Sequence, residues 1–125
     1  MVALFALMSL LVACSGADAT IATIATDTAV ELAEERDDVV VIDVRTPEEY
    51  EAGHVEGAVL LDLSGGVFEE RIGDYDRDTT YVLYCRTGNR SAQAAAIMGE
   101  LGFTDVRDAG AYEDLAAAGA AVSSD

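Results

Sequence analysis

Short apolar runs alternate along this chain with segments whose apolar residues recur at helical spacing. The runs are continuous and rich in β-branched and aromatic residues, which is typical of strands covered on both faces of a sheet. They predict strands at 21–24 (an edge strand), 39–42, 59–63, 80–84 and 105–107. The segments between them predict a helix that begins near Thr26 with apolar positions 29, 30, 32 and 33, and helices at 67–72, 91–101 and 112–118.

This alternation of strands and helices favours a three-layer α/β sandwich, in which a parallel sheet of about five strands carries helices on both faces. Residues 20–120 are enough for one hydrophobic core, and no linker or repeat divides them, so we predict a single domain. Residues 14–19 read as a short linker before it and residues 121–125 as a frayed tail. In such a sheet, the functional site lies outside the carboxyl ends of the strands.

The strongest chemical signal is the sequence Cys-Arg-Thr-Gly-Asn-Arg at residues 85–90, between a predicted strand and a predicted helix. Loop N–H groups and the positive end of the helix dipole would converge on the sulfur of Cys85, and Arg86 and Arg90 add positive charge. Such surroundings lower a cysteine pKa from about 8.5 into the range of roughly 3.5 to 7.5. The sequence therefore predicts a reactive thiolate, which must be reachable from solvent, rather than an inert buried cysteine.

Two segments of the chain resemble the rhodanese-like sulfurtransferases. Residues 43–59 follow the family's pattern of Asp-Val-Arg, then Glu-Tyr, then Gly-His-Val-x-Gly-Ala, and the Cys85 loop with Ser91 is the second. Residues 101–112 add a weaker third similarity, beyond which Leu115 replaces a frequent tryptophan. The resemblance implies a rhodanese-like fold. It also implies that the cysteine takes sulfane sulfur from a donor such as thiosulfate, holds it as a persulfide and passes it to cyanide or a thiol.

The length of the loop separates two chemistries within this resemblance. Four residues lie between Cys85 and Arg90. Phosphatases that share the fold have five, which make a cradle wide enough for a tetrahedral oxyanion, whereas the shorter loop suits one additional sulfur atom. The resemblance thus implies that Cys85 is the nucleophile and that residues 86–90 bind substrate. We expect Arg86 to orient the donor anion, while Arg90 either braces the loop or touches the substrate.

The remaining loop residues have supporting roles in this interpretation. Gly88 is expected to supply a backbone angle that other residues avoid. Three further side chains could donate hydrogen bonds or cap the following helix, namely Thr87, Asn89 and Ser91.

Three polar residues in the first matching segment are interpreted as structural. Asp43 and Arg45 could pair with each other or with Glu49. His54, the only histidine, would hold the turn at 53–55 through a hydrogen bond to the backbone, since a thiolate stabilised by amides needs no general base. One histidine and one free cysteine offer no cluster of metal ligands, so neither a metal nor another cofactor is expected.

The net charge of the chain limits the classes of molecule that it is expected to bind. It has 24 acidic and 7 basic residues, a formal net charge of -17, and no lysine. Such acidity repels nucleic acid and anionic membrane surfaces. It also slows the approach of anions, which makes local positive charge at the loop more important. We expect a monomer whose partners are a small anionic sulfur donor and a thiol or cyanide acceptor.

The first residues indicate export. Residues 2–12 are apolar except for Ser9, too few for a membrane span of about 20 residues, and predict a signal peptide over 1–13. The ending Leu-Val-Ala-Cys resembles a lipobox, which implies lipidation of Cys14 and a membrane-anchored lipoprotein on the periplasmic or extracytoplasmic side. An ordinary cleaved leader and a buried first strand are the alternatives. No disulfide is expected, because Cys14 carries lipid and Cys85 must stay free.

Together these features predict a single-domain sulfurtransferase of the thiosulfate type. The alternative is a rhodanese-fold sulfur carrier or protein-binding module that does not turn over small donors. A phosphatase or arsenate reductase is a third, more distant hypothesis.

Overall fold

The computed structural model describes residues 19–124. Seven strands and five helices follow one another there, with a 3₁₀ turn at Ile72–Asp74 after α3: β1 Thr20–Thr23, α1 Thr26–Glu35, β2 Val39–Asp43, α2 Pro47–Ala52, β3 His54–Val55, β4 Val59–Leu60, α3 Val67–Arg71, β5 Thr80–Cys85, α4 Asn89–Glu100, β6 Asp105–Ala111, α5 Tyr112–Ala117 and β7 Val122–Ser123. The predicted signal peptide at 1–13, Cys14 and most of the linker at 14–19 lie outside the described residues.

Five of the strands form one parallel sheet in the order β1-β6-β5-β2-β4. All six residues of the central strand β5 are buried, as expected of a strand covered on both faces. The predicted α/β sandwich with a parallel five-stranded sheet is confirmed. β5 lies between β2 and β6, so the loop that follows it opens at the carboxyl edge of the sheet, where functional sites of such folds lie.

Side chains of β5 alternate between two hydrophobic cores, one on each face of the sheet. Tyr81, Leu83 and Cys85 point into the first core, which contains Phe68 of α3 and, from α4, Ala94, Ala95 and Met98. Val82 and Tyr84 point into the second core, which contains Ala29 and Val30 of α1 and Leu115 of α5. The nucleophile candidate thus belongs to the α3 and α4 side of the molecule.

Several boundaries differ from prediction. The last strand of the sheet, β6, runs to Ala111 instead of ending at residue 107. β4 covers only Val59–Leu60, although the next residues still bond to the neighbouring strand segment, through Leu61 N to Asp43 O at 2.9 Å. The helix predicted at 67–72 ends at Arg71 and continues as the 3₁₀ turn.

Two short strands lie where the sequence predicts none. Residues 53–55 are predicted as a turn, and residues 121–125 as a frayed tail. Instead, β3 and β7 pair antiparallel, with His54 opposite Ser123 and Val55 opposite Val122. Val55 belongs to the second core, and its burial gives the tail an ordered edge to pair with.

None of the helices between residues 19 and 124 has the length and apolar character that crossing a membrane would need.

Candidate active site

Cys85 is the last residue of β5, and its side chain packs into the first core. The backbone changes direction immediately afterwards, because Gly88 adopts φ 94°, a left-handed conformation that favours glycine. This confirms the predicted backbone angle of Gly88. Helix α4 then begins at Asn89, two residues earlier than predicted, with Gly88 as its N-cap.

The turn brings loop groups onto the sulfur. The backbone N–H of Gly88 donates to Cys85 Sγ over 2.9 Å. The thiol donates to Ser91 Oγ over 3.5 Å, and the Ser91 hydroxyl donates to the carbonyl of Gly88 over 3.1 Å. Once the sulfur is ionised, the Ser91 hydroxyl can turn its proton from that carbonyl to the sulfur. Ser91 therefore contacts the sulfur of Cys85 directly.

Two opposing effects set the pKa of Cys85. Burial raises it, and hydrogen bonds from the Ser91 hydroxyl and from the backbone N–H groups of Ser91, Thr87 and Gly88 lower it. The hydrogen bonds prevail, so that the pKa lies below the ordinary value of a thiol. The cradle of backbone donors thus favours the thiolate.

The expectation that Cys85 can be reached from solvent is wrong for this conformation, since the residue is 0% exposed. The physical reason is the same turn that activates it. Gly88 and Ser91 close over the sulfur at hydrogen-bonding distance, while β5 holds the residue in the core. In this conformation the sulfur is therefore closed to a reagent in solvent.

The remaining loop side chains point outward. Arg86, Thr87 and Asn89 are exposed, and none of the three forms a side-chain hydrogen bond or ion pair within residues 19–124. The suggested side-chain cap at Thr87, Asn89 or Ser91 is not formed, because the N-cap position falls on Gly88, which has no side chain. Arg86 is left as an uncompensated positive charge beside the nucleophile.

The side chain of Arg90 is bound to helix α2. Its guanidinium forms a two-pronged ion pair with Glu49 of α2, with Nη1 to Oε1 at 2.8 Å and Nη2 to Oε2 at 3.0 Å. The pKa of Arg90 is raised, chiefly by its hydrogen bonds to Glu49 and more weakly by the charges of Glu49 and Cys85. Of the two roles left open by the sequence, bracing the loop is the one that these contacts serve.

Asp43 and Arg45 pair with each other next to Tyr84, a residue of the second core. Arg45 Nη2 lies 2.7 Å from Asp43 Oδ2 and also donates to Gly53 O over 2.6 Å. Tyr84 donates to Asp43 Oδ2 over 2.7 Å and accepts from the backbone N–H of Val55 over 3.0 Å. Burial, followed by the charge of Asp43, raises the pKa of Tyr84, which keeps the phenol protonated as a donor. This network ties the carboxyl ends of β2 and β5 to β3.

His54 lies next to this network and bonds to the backbone, as its structural interpretation requires. Its Nδ1 is 2.7 Å from Tyr50 O, and its ring stacks on that of Tyr50 with centroids 3.6 Å apart. His54 is buried at 5% exposure. We find no contact between it and the sulfur.

Sequence reasoning missed two contributors to the site. Glu49 was considered only as a partner for Asp43 or Arg45, and Tyr84 only as a strand residue. A local signal existed for Glu49, because Thr46, Pro47 and Glu49 form the pattern of a capping box with proline at the first helical position. For Tyr84 no local signal existed, since its partner Asp43 is 41 residues away.

A cavity lies on the face of the sheet opposite to the side chain of Cys85. It has a volume of about 400 Å³ and is lined by α1, β2 and second-core residues such as Val30, Val82 and Leu115. Because Cys85 belongs to the first core, this cavity is separate from the nucleophile.

Comparisons with known proteins agree with this geometry. The family model of the rhodanese-like domain matches residues 26–117. The chain is 42% identical over 77 residues to the thiosulfate sulfurtransferase PspE of Escherichia coli K12, covering 60% of this chain and 72% of that protein. It is 42% identical over 67 residues to the thiosulfate sulfurtransferase GlpE of Pseudomonas entomophila, of which it covers 60%. A solved structure described as rhodanese with anions from E. coli superposes with a TM-score of 0.62 at 35% identity, covering 70% of this chain and 99% of that one.

Proposed function

This chain belongs to the rhodanese-like family, and from that premise we propose that it is a sulfurtransferase that carries sulfane sulfur on Cys85. The observation that carries the proposal is the 2.9 Å hydrogen bond from Gly88 N–H to the Cys85 sulfur at the carboxyl end of β5. A main-chain donor at that distance stabilises negative charge on sulfur, whether on a thiolate or on a persulfide. Two relatives named thiosulfate sulfurtransferases support the same activity.

The proposed reaction has two displacement steps. The Cys85 thiolate attacks the outer sulfur of thiosulfate, the bond between the two donor sulfurs breaks, and sulfite leaves with the electron pair. Cys85 then holds the persulfide, whose negative charge is spread over the terminal sulfur. Cyanide attacks that terminal sulfur, thiocyanate leaves, and the Cys85 thiolate returns. Each step exchanges one bond to sulfur for another and needs no external oxidant or reductant.

Donor binding is proposed to begin at Arg86. This arginine is exposed and has no ion-pair partner within the described residues, so it can meet an incoming anion. Because Cys85 is fully buried, the donor must then displace the loop segment around Gly88 to reach the sulfur. The loop is proposed to close again over the persulfide, since the same amide can bond to the added sulfur.

The proposal is tested by mass spectrometry of the purified protein. Incubation with thiosulfate should add the mass of one sulfur to the peptide that contains Cys85, and cyanide should remove it while thiocyanate forms. Cys85→Ser, which keeps the size of the side chain, should neither load nor turn over. Absence of loading in the wild-type protein would refute the proposal.

The same experiment decides between enzyme and carrier. The closed position of Cys85 is the observation that favours a carrier, because a covered sulfur slows exchange with small molecules. Loading without multiple turnovers would identify a sulfur carrier. Cys85-dependent hydrolysis of an aryl phosphate would instead support the phosphatase hypothesis.

Export and lipid anchoring are proposed from the sequence alone. Residues 1–13 are proposed to be removed as a signal peptide, with a lipid on Cys14 as the membrane anchor. Expression of the full chain in bacteria with a labelled fatty acid should label the wild-type protein but not Cys14→Ser. Equal labelling of both would refute lipidation at this cysteine.

A further inference from the structure

Glu49 cancels one of the two positive charges that the catalytic loop carries. Both of its carboxylate oxygens meet the guanidinium of Arg90, at 2.8 and 3.0 Å. The pair is partly shielded from water, with side-chain exposures of 22% for Arg90 and 24% for Glu49. A two-pronged pair of this kind neutralises Arg90 as seen from outside the pair.

The carboxylate of Glu49 is fixed from its own side as well. The backbone N–H and the hydroxyl of Thr46 donate to Oε1 over 3.2 and 3.1 Å, and Glu49 N–H donates back to the Thr46 hydroxyl over 3.3 Å. Hydrogen bonds from Arg90 lead the effects that lower the pKa of Glu49 to about 2. Glu49 therefore stays charged and in place throughout the pH range in which a thiolate enzyme works.

Arg86 is then the uncompensated cation of the loop, since it has no ion-pair partner within residues 19–124. Compared with a loop that has two free positive charges, a loop with one loses one charge–charge attraction for a singly charged donor and two for a doubly charged donor. It attracts a doubly charged donor less than a loop with two free charges would, and the chain's net charge of -17 works against the second charge further.

The geometry points to Glu49 as a residue that determines donor specificity, by neutralising Arg90 and so shifting the site from dianionic towards monoanionic sulfane donors. This inference rests on the proposed sulfurtransferase function. The monoanionic class includes thiosulfonates, which lose a sulfinate when Cys85 takes their outer sulfur, as thiosulfate loses sulfite. Glu49 acts through Arg90 and is a positioning residue.

The test compares thiosulfate with methanethiosulfonate, in which a methyl group replaces one charged oxygen at nearly the same size. Glu49→Gln should raise the ratio of kcat/KM for thiosulfate to kcat/KM for methanethiosulfonate roughly threefold at low salt, the effect of one unit charge at about 6 Å in a water-like dielectric. Glutamine can still complete the capping box, so α2 keeps its N-terminus. The gain should shrink as salt screens the charges.

Two further variants separate charge from structure. Glu48→Gln removes the same charge from an exposed neighbour in the first turn of α2 that contacts no arginine, and it should leave the ratio unchanged. Glu49→Asp keeps the negative charge and should retain the wild-type ratio. An unchanged ratio in Glu49→Gln, or an equal rise in Glu48→Gln, would overturn the inference.

A second measurement does not depend on sulfur transfer. In a Cys14→Ser background, iodoacetate and iodoacetamide alkylate the same sulfur, that of Cys85, and they differ by one negative charge. The iodoacetate to iodoacetamide rate ratio should rise roughly threefold in Glu49→Gln and stay constant in Glu48→Gln. If no donor loads Cys85 in any variant, the proposed function fails and the donor preference fails with it. If donors do load but this alkylation ratio is unchanged in Glu49→Gln, the inference about Glu49 is overturned while the proposed function stands.

Discussion

Replacing Ser91 with alanine should raise the pKa of the Cys85 thiol. The Ser91 hydroxyl lies 3.5 Å from the sulfur, and its contribution heads the hydrogen bonds that lower this pKa. Ser91 is 0% exposed, so this hydroxyl is shielded from bulk water. The thiolate would lose a donor that the neighbouring N–H groups cannot replace.

The size of the effect follows from the energy of one hydrogen bond. A hydrogen bond to a charged group contributes about 1.5 to 3 kcal/mol, and one pKa unit corresponds to about 1.36 kcal/mol. The range is therefore roughly one to two units. The long contact of 3.5 Å favours the lower end, so we expect a rise of about one unit.

The assay is the rate of alkylation by iodoacetamide as a function of pH, measured in a Cys14→Ser background so that one sulfur reacts. Opening of the loop scales the whole curve, whereas the pKa sets its midpoint. Ser91→Ala should move the midpoint about one unit to higher pH. Ser64→Ala, at an exposed loop position, should not move it. An unchanged midpoint in Ser91→Ala would show that main-chain donors alone hold the thiolate.

Three further outcomes are expected. Arg86→Ala should raise KM for thiosulfate severalfold with little change in kcat, and an unchanged KM would remove Arg86 from donor binding. Asp43→Asn should lower the free energy of unfolding by about 3 kcal/mol, because it leaves Arg45 buried without its counter-charge; a loss below about 1 kcal/mol in urea denaturation would contradict this. The pKa of Glu49 is about 2 in the folded protein, below the ordinary glutamate value of 4.5, so its stabilising charge is fully present above pH 4.5 and is lost as the pH falls towards 2. The stability advantage of wild type over Glu49→Gln, about 1 kcal/mol for a pair that is only partly shielded from water, should vanish across that window, and a constant advantage would refute the linkage.

Local patterns predicted the parts of the fold that are continuous in sequence. The central strand and the flanking strand β2 were recognisable because covering both faces of a sheet requires an uninterrupted apolar run. Helix α2 was not predicted, because it lacks the apolar pattern that identifies the strands. None of its residues is buried, so it has no apolar face, and its signal lies only in the capping box that Thr46 begins.

Pairing between distant segments could not be predicted in the same way. β3 and β7 contain two residues each, and neither has a sequence pattern that indicates its pairing partner. Their pairing depends on where α5 delivers the chain, and the backbone bond from Glu56 N to Ala121 O at 2.8 Å extends it. A short strand of this kind is a consequence of the tertiary structure.

The residues of the site also fall into two groups, those whose positions follow from local sequence and those whose contacts come from distant segments. The positions of Cys85 and Gly88 follow from a strand, a glycine and a helix that are consecutive, and the sequence was sufficient for them. The partner of Arg90 is 41 residues away, and a carboxylate at Glu49 could equally have served Arg45. Which arginine it takes is decided by geometry: Asp43, two residues from Arg45 and completely buried, already occupies that guanidinium.

The distribution of partners, more than the number of arginines, determines where an anion can bind. All seven basic residues lie in the described part of the chain, where four form ion pairs and Arg77 donates to backbone carbonyls. Arg71 and Arg86 remain without such contacts. Arg71 ends α3, whereas Arg86 follows the nucleophile directly. On a chain this acidic, we therefore propose Arg86 as the cation that guides an incoming anion to the sulfur.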